Sequence, residues 1–290
     1  MITNYSLHRI TDQEYSPFSE SDYSKFKFGD DAIAKTFADA LFEGFISEHA
    51  DLILQHEEIV ILPSPYLAIP TASNRLSFYF KTRMNQFLFE NEKMALKESK
   101  IYRNQTYVTD YGALDYTERV KLISNDTYYI DKNIVEGKLC IFMDDIKITG
   151  SHEFIIKKIL DEYKVQGHFV FVYFAELLNK DIHPNIENHY NYFHVKTVEH
   201  IIGLINQKTF DYNTRIVKYI LRLEVPDLIL LLQSIPQSRI DTLFHLAVSN
   251  NYHTITEYKE NLKSIHKKNS RLWLSIYKKD NVKHLTLPSL

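Results

Sequence analysis

The amino-acid sequence predicts an α/β protein, an open parallel sheet followed by a helical C-terminal extension. Three observations lead there. Four short runs, at residues 58–63, 101–110, 139–143 and 167–175, have strand length, and three of them are continuously apolar, as strands covered on both faces are. Helix-period segments lie between the strands, an alternation that builds parallel sheets. From about residue 197 the chain becomes mainly helical in its apolar spacing. The chain divides on this reading into an N-terminal arm at 1–27, an α/β domain at 28–196 and a mainly helical extension at 197–290.

Taken in order, the first 28 residues are polar and aromatic without clear periodicity and read as an extended arm on the domain surface. A helix follows, capped by Asp30 or Asp31, with Ala32, Ile33, Phe37, Ala40, Leu41 and Phe45 as its apolar stripe. Glu58-Ile-Val-Ile-Leu-Pro63 is a buried strand, Ser64 to Arg75 a loop held by two prolines, and Leu76, Phe80, Met84 and Phe87 the stripe of the next helix. Residues 101–110 form a strand with Ile101, Arg103, Gln105 and Tyr107 on one face, and 124–131 a turn and strand. Leu139 to Met143 is a buried strand ending in two acids, Asp144 and Asp145, ahead of a Thr149-Gly150-Ser151 turn and a helix bearing Phe154, Ile155, Ile159 and Leu160. Gly167 to Ala175 is the last core strand. In the extension, Ile240, Leu243, Phe244, Ala247 and Val248 share a helix face, Thr254-x-x-Glu257 has capping-box spacing, and Pro226 and Pro236 mark helix boundaries. Leu272, Leu274 and Ile276 alternate as an edge strand does.

Composition narrows the function classes. The 290 residues carry a net charge of −3, which offers no general attraction for nucleic acid. No apolar run reaches the ~20 residues needed to span a membrane. The N-terminus shows no basic region followed by an apolar stretch, so no secretory signal is expected. One cysteine, Cys140, excludes an internal disulfide and fits a reducing, cytoplasmic setting; its place inside a buried strand points to packing. His183, His189, His194 and His200 lack metal-ligand spacing.

The chemistry concentrates at residues 139–152. A buried strand, a small-residue turn and a helix start make an anion cradle, in which backbone N–H groups point at a phosphate and Gly150 permits close approach. Thr149 and Ser151 add hydroxyls. Two carboxylates cannot hold a phosphate; they suit sugar hydroxyls, or a divalent cation that accompanies a phosphate. The plainer alternative is a loop at the carboxyl edge of an α/β sheet, where acids are common.

This stretch resembles the loop of type I phosphoribosyltransferases that binds 5-phosphoribosyl 1-pyrophosphate (PRPP). The resemblance covers roughly residues 28–178. It implies a sheet of the type I phosphoribosyltransferase kind, with Asp144 and Asp145 on the ribose hydroxyls and on Mg²⁺, and PRPP contacts running through Lys147, Ile148, Thr149, Gly150, Ser151 and His152. The sequence departs from the family pattern at Lys147, Ile148 and His152; the family members acting on 6-oxopurines have an acid where Ile148 stands. By the same resemblance the loop after the first core strand, at Ser64, Pro65 and Tyr66, binds pyrophosphate, joined by Arg75. Lys27-Phe-Gly-Asp30, and the series Glu118, Arg119, Asn125 and Tyr128, look like the ComF-like branch. They imply a catalytic loop whose cations, Arg119 and Arg103, neutralise the leaving group. The plain reading of Arg75 is a surface arginine at a helix start, and that of Arg119 a helix-face pair with Glu118 or Asp115. The implied reaction moves ribose 5-phosphate from PRPP to an unidentified acceptor. Alternatives are a non-catalytic PRPP or nucleotide sensor, and an interaction protein that keeps only the fold. The extension would choose the acceptor or form a contact between copies in a homo-oligomer.

Overall fold

The computed structural model describes residues 1–103, 115, 117–118 and 128–269. The strands are β1 (Ile2–Ile10), β2 (Ile59–Pro63), β3 (Lys97–Glu98), β4 (Tyr102–Arg103), β5 (Tyr128–Tyr129), β6 (Leu139–Lys147) and β7 (His168–Leu177). The helices of the sheet region are α1 (Glu20–Lys27), α2 (Asp31–Leu54), α3 (Ala72–Glu90), α4 (Lys132–Val135), α5 (Ser151–Glu162) and α6 (Ile186–Tyr192). Five strands form one sheet in the order β1-β7-β6-β2-β3, each neighbouring pair parallel. The expected α/β class, with a parallel sheet and a helical C-terminal region, is the fold observed.

Strand alternation divides the core. Ile59, Ile61, Leu139, Ile141, Met143, Val170 and Val172 pack on the α2 and α3 side, against Leu41, Phe45, Leu76, Phe80 and Met84. Val60, Leu62, Cys140, Phe142, Phe169 and Phe171 pack on the other side, against Ile155, Ile159 and Leu160 of α5. Both faces are covered, which is why these strands read as unbroken apolar runs. Each fully buried large side chain contributes about 1.5–3 kcal/mol. Asp30 caps α2 by accepting the Ile33 amide at 3.2 Å. The buried stripe of α2 is wider than the sequence suggests and includes Ala34, Ala38 and Phe42, the last set edge-on to Phe80, while Ala32 and Ala40 are exposed. Cys140 is buried, and burial pushes its thiol up to about 12, in keeping with packing.

The chain leaves β2 outward to β3 through α3, and leaves β6 in the other direction to β7 through α5. These two helices lie on opposite faces of the sheet. The crevice at the carboxyl ends of β2 and β6 is therefore the topological switch point, where open α/β sheets bind ligands.

Four expectations are corrected. Residues 1–27 are no surface arm: β1 pairs with β7 along its length, and α1 buries Tyr23 and Phe26 in the core. Of the predicted strand at 101–110, residues 104–110, with Gln105 and Tyr107, lie outside the described residues; Tyr102–Arg103 is a strand, but it pairs antiparallel with Tyr128–Tyr129 in a separate ribbon, and β1 and β3 complete the main sheet. β6 does not stop at Met143 but pairs with β7 through Lys147, so both acids lie within the strand. Thr254 caps no α-helix, because its hydroxyl bonds the Asn251 carbonyl in a 3₁₀ turn and the next helix starts at Thr256. The predicted edge strand at Leu272, Leu274 and Ile276 lies outside the described residues.

The C-terminal helices are α7 (Val198–Ile205), α8 (Thr214–Ile220), α9 (Val225–Ser234), α10 (Gln237–Ser249) and α11 (Thr256–Asn269). Pro226 lies in the first turn of α9 and Pro236 caps α10, as expected of boundary prolines. These helices share a core of their own, into which Phe28 and Ile69 insert from the sheet region. The turn between α1 and α2 anchors the unit: Asp211 N donates to Gly29 O at 2.9 Å, and Asp31 N donates to Thr209 O at 2.9 Å. Among the described residues, no helix is long and apolar enough to cross a membrane.

Gly29 has φ of +96°, and a Cβ there would lie 2.2 Å from the Asp211 carbonyl oxygen. Gly29→Ala is predicted to cost roughly 1–3 kcal/mol from the positive φ alone, with further loss from the overlap. Thermal denaturation should show a clear fall in melting temperature; an unchanged value would contradict the docking described here.

Candidate functional site

Because successive side chains in a strand face opposite ways, Asp144 and Asp145 part company. Asp144 faces the α5 side and lines a small, mostly apolar cleft, in which Ser64, His152, Glu153 and Tyr173 stand beside Leu62, Pro65, Phe142, Ile156 and Phe171. Its Oδ2 lies 2.8 Å from His152 Nδ1, and its Oδ1 accepts the Asp145 amide at 2.9 Å. Burial pushes the Asp144 carboxyl up, but hydrogen bonds from His152, Ser64 and Asp145 outweigh this and hold it well below the usual carboxylate range.

Asp145 faces the α1 side and is 5% exposed. Its Oδ2 accepts the Tyr23 hydroxyl at 2.5 Å and the Lys27 ammonium, itself 8% exposed. Burial raises the Asp145 carboxyl, Lys27 draws it down, the neighbouring Asp144 charge raises it, and the balance is upward. Burial, then the Asp145 charge, lifts the Tyr23 hydroxyl well above its usual value, so Tyr23 stays a donor.

The turn after β6 is tight and leads directly into α5. Gly150 caps α5 with φ of 75°, where no added Cβ would crowd a neighbour, so the glycine serves the backbone angle. Thr149 Oγ1 lies 3.0 Å from Ser151 Oγ and accepts the Ser151 amide at 3.4 Å. The first-turn amides of the twelve-residue α5 point toward the carboxyl edge of the sheet. Ile148 packs against the core on the α2 and α3 side. Lys147 explains its departure from the family pattern: its ammonium lies 2.9 Å from Glu153 and 2.8 Å from Glu176, which itself accepts the Ser6 hydroxyl at 2.8 Å. Glu153 also accepts Asn4, Lys157 and the Tyr173 hydroxyl, so the network ties α5 to β1, β6 and β7.

The loop after β2 lies beside this turn, since Pro63 pairs with Met143. Ser64 Oγ donates to Met143 O at 3.3 Å, and Pro65 lines the cleft. Tyr66 sits under the Lys100 ammonium, 3.7 Å from its ring centre. The C-terminal helices hold the rest of the loop: Asn250 accepts the amides of Ala68 and Ile69, and Thr214 bonds the carbonyls of Ile69 and Pro70. Arg75 is not brought to the cleft. Its guanidinium binds Asp31 through two hydrogen bonds, at 2.6 and 2.7 Å, with Asp211 at 3.6 Å. The Asp31 hydrogen bonds lift its pKa further above the usual range, although burial opposes them. Arg103 lies in β4, while Arg119 and Asn125 lie outside the described residues. Glu118 bonds Asp115 reciprocally, each backbone amide donating to the other's carboxylate.

Three residues escaped the sequence reading. Lys27 and Tyr23 lie more than a hundred positions from Asp145 and meet it only through the tertiary fold. Lys100 donates to the Leu67 carbonyl at 3.3 Å and pairs with no carboxylate among the described residues; burial lowers its pKa. Lys27 stands in the sequence only as the first residue of Lys27-Phe-Gly-Asp30, which says nothing of a partner for its ammonium, and no periodicity or motif marks Tyr23 or Lys100. Among the described residues, no cluster of three or more His, Cys, Asp or Glu side chains is gathered to hold a metal.

Burial pushes the Glu153 carboxyl up, but Lys157, Lys147 and Asn4 outweigh it and bring the value from an ordinary 4.5 to about 2. The folded value lies below the unfolded one, so this carboxylate adds stability that is complete above the ordinary value and lost as pH falls through the folded value. Glu153→Gln is predicted to destabilise the fold at neutral pH by on the order of 2–3 kcal/mol, and the gap from wild type should close in acid. Melting temperatures measured from pH 7 downward check this; a gap independent of pH would contradict it.

The model of ComF-like phosphoribosyltransferases matches residues 1–265, which takes in β1 and nearly all of the described C-terminal helices. Among solved structures, a hypoxanthine phosphoribosyltransferase from Staphylococcus aureus aligns over 50% of this chain and 75% of its own, at 11% identity and a TM-score of 0.31. No curated protein matches the chain. On the strength of the family match, the chain belongs to the ComF-like phosphoribosyltransferase family.

Proposed function

We propose that this chain binds PRPP at the carboxyl edge of β6 and transfers its ribose 5-phosphate to an acceptor, typically a nitrogen nucleophile. The bond from ribose C1 to pyrophosphate breaks, a bond from the acceptor to C1 forms, the acceptor's proton goes to solvent or buffer, and pyrophosphate leaves. The observation that carries this reading is the placement of Asp144. It lines a small cleft at the switch point, between His152 and Glu153 at the start of α5 and Ser64 and Pro65 of the loop after β2, with the Thr149–Ser151 turn next in sequence to His152. Asp144 is held ionised and accepts ribose hydroxyls. The turn takes the 5′-phosphate on its backbone amides and on the hydroxyls of Thr149 and Ser151. The pyrophosphate lies over the Ser64 loop, within reach of Lys100, and Arg119 and Arg103 are the further cations that the family resemblance implies.

Magnesium, arriving with the pyrophosphate, supplies charge neutralisation when bound. Asp144 fits as a single carboxylate ligand to such an ion. Asp145 does not fit, since its carboxylate is buried against an ammonium. A cytoplasmic setting is part of the same reading and is supported by the lone buried cysteine.

One observation favours a second reading, a sensor that binds PRPP or a nucleotide without turnover: Arg75, expected on the pyrophosphate, is committed to Asp31.

Calorimetric titration of Mg·PRPP should give micromolar binding. Asp144→Asn should weaken it at least tenfold, about 1.4 kcal/mol, with little change in melting temperature. Absence of binding at millimolar PRPP, or an unaffected variant, would overturn the assignment. An acceptor screen that follows pyrophosphate release then separates the transferase from the sensor.

A further inference from the structure

We infer that the two acids have different jobs: Asp144 meets the ligand, whereas Asp145, bound by Lys27 and Tyr23, is a positioning residue and contacts neither ribose nor metal. What Asp144 holds rests on the reading just proposed; the assignment of Asp145 rests on the geometry of the strand and its neighbours.

The two carboxylates lie on opposite faces of β6, and only Asp144 lines the cleft. For Asp145 to reach the same ligand, the strand end would have to leave its pairing with β7, which holds Asp144 on one side of it and Ile146 and Lys147 on the other. It would also abandon Lys27. A buried ammonium left without its counter-charge is strongly unfavourable, and the Tyr23 hydroxyl would lose its acceptor as well. Asp145 acts on the site through its backbone instead. Its amide donates to Asp144 Oδ1 at 2.9 Å, so whatever fixes the Asp145 residue also aims the Asp144 carboxylate.

Lys27 is itself held from behind. It ends α1, and its carbonyl accepts the Asn213 side-chain amide at 3.1 Å; Asn213 in turn caps α8 through the amides of Arg215 and Ile216. Two residues further, Gly29 bonds Asp211. A continuous set of contacts therefore runs from the C-terminal helices through Lys27 and Asp145 to Asp144. The helical unit, which also holds the loop after β2, braces both walls of the cleft.

The test uses the full chain as Lys27→Met, Asp145→Asn and the double variant, read by melting temperature and by calorimetric titration of Mg·PRPP below each melting point. Either single change should lower the melting temperature by roughly 6 °C or more. The double variant, with no charge left unpaired, should recover most of that loss. Lys27→Met should weaken PRPP binding about threefold or more, although Lys27 does not line the cleft. The double variant should bind within about threefold of wild type. A double variant that regains its melting temperature but binds tenfold more weakly would make Asp145 a ligand and overturn the inference. Additive losses in melting temperature would overturn the pairing. If wild type binds no PRPP, the proposed function fails, while the melting temperatures still decide whether Asp145 belongs to Lys27.

Discussion

A β-strand sends neighbouring side chains to opposite faces, and the candidate site depends on that constraint. An Asp-Asp pair in a loop can converge on one ligand. The same pair inside a paired strand cannot. β6 stays in the sheet through Lys147, so Asp144 is delivered to the cleft and Asp145 to the interior. Each carboxylate then finds the partners its surroundings require. Asp144, at the edge, is held by hydrogen bonds and keeps its charge. Asp145, in the core, is tolerable only because an ammonium and a phenol meet it there.

The rest of the molecule serves this arrangement. The crossovers from β2 and β6 leave on opposite faces, and so open a crevice at the carboxyl ends of these two strands. α5 starts at that crevice and is fixed to three strands by the Glu153 network. α1 carries Lys27 and Tyr23 to the far side of β6. The C-terminal helices brace α1 through Asn213 and Asp211, and brace the loop after β2 through Asn250 and Thr214. Their distance in sequence from the acids conceals how directly they support them.

Much of this was legible in the sequence, for physical reasons that also explain what was not. β2, β6 and β7 declared themselves because strands covered on both faces must be apolar throughout. Asp30, Pro226 and Pro236 marked helix starts because capping and proline geometry are local. Thr149, Gly150 and Ser151 marked the turn because a positive φ favours glycine. β1 has the sequence of an arm because it is an edge strand with mixed burial, and Ile-Thr-Asn-Tyr-Ser-Leu-His-Arg-Ile shows no clean alternation. Two-residue β3 is too short to carry a signal. The apolar run stops at Met143, so the sequence ends the strand before the acids, whereas the pairing that keeps them in it comes from β7. Lys27 and Arg75 show the same limit. One proved to be a buried counter-ion and the other a structural clamp on Asp31, and each partner is supplied by a distant part of the chain.

A crystal structure of the complex with Mg·PRPP would show which acid touches the ligand. An Asp144 oxygen should lie within about 2.6–3.2 Å of a ribose hydroxyl, with the 5′-phosphate on the amides of the Thr149–Ser151 turn and Asp145 still bound by Lys27 and Tyr23. An Asp145 carboxylate turned onto the ribose or the metal, with Lys27 released, would contradict this assignment.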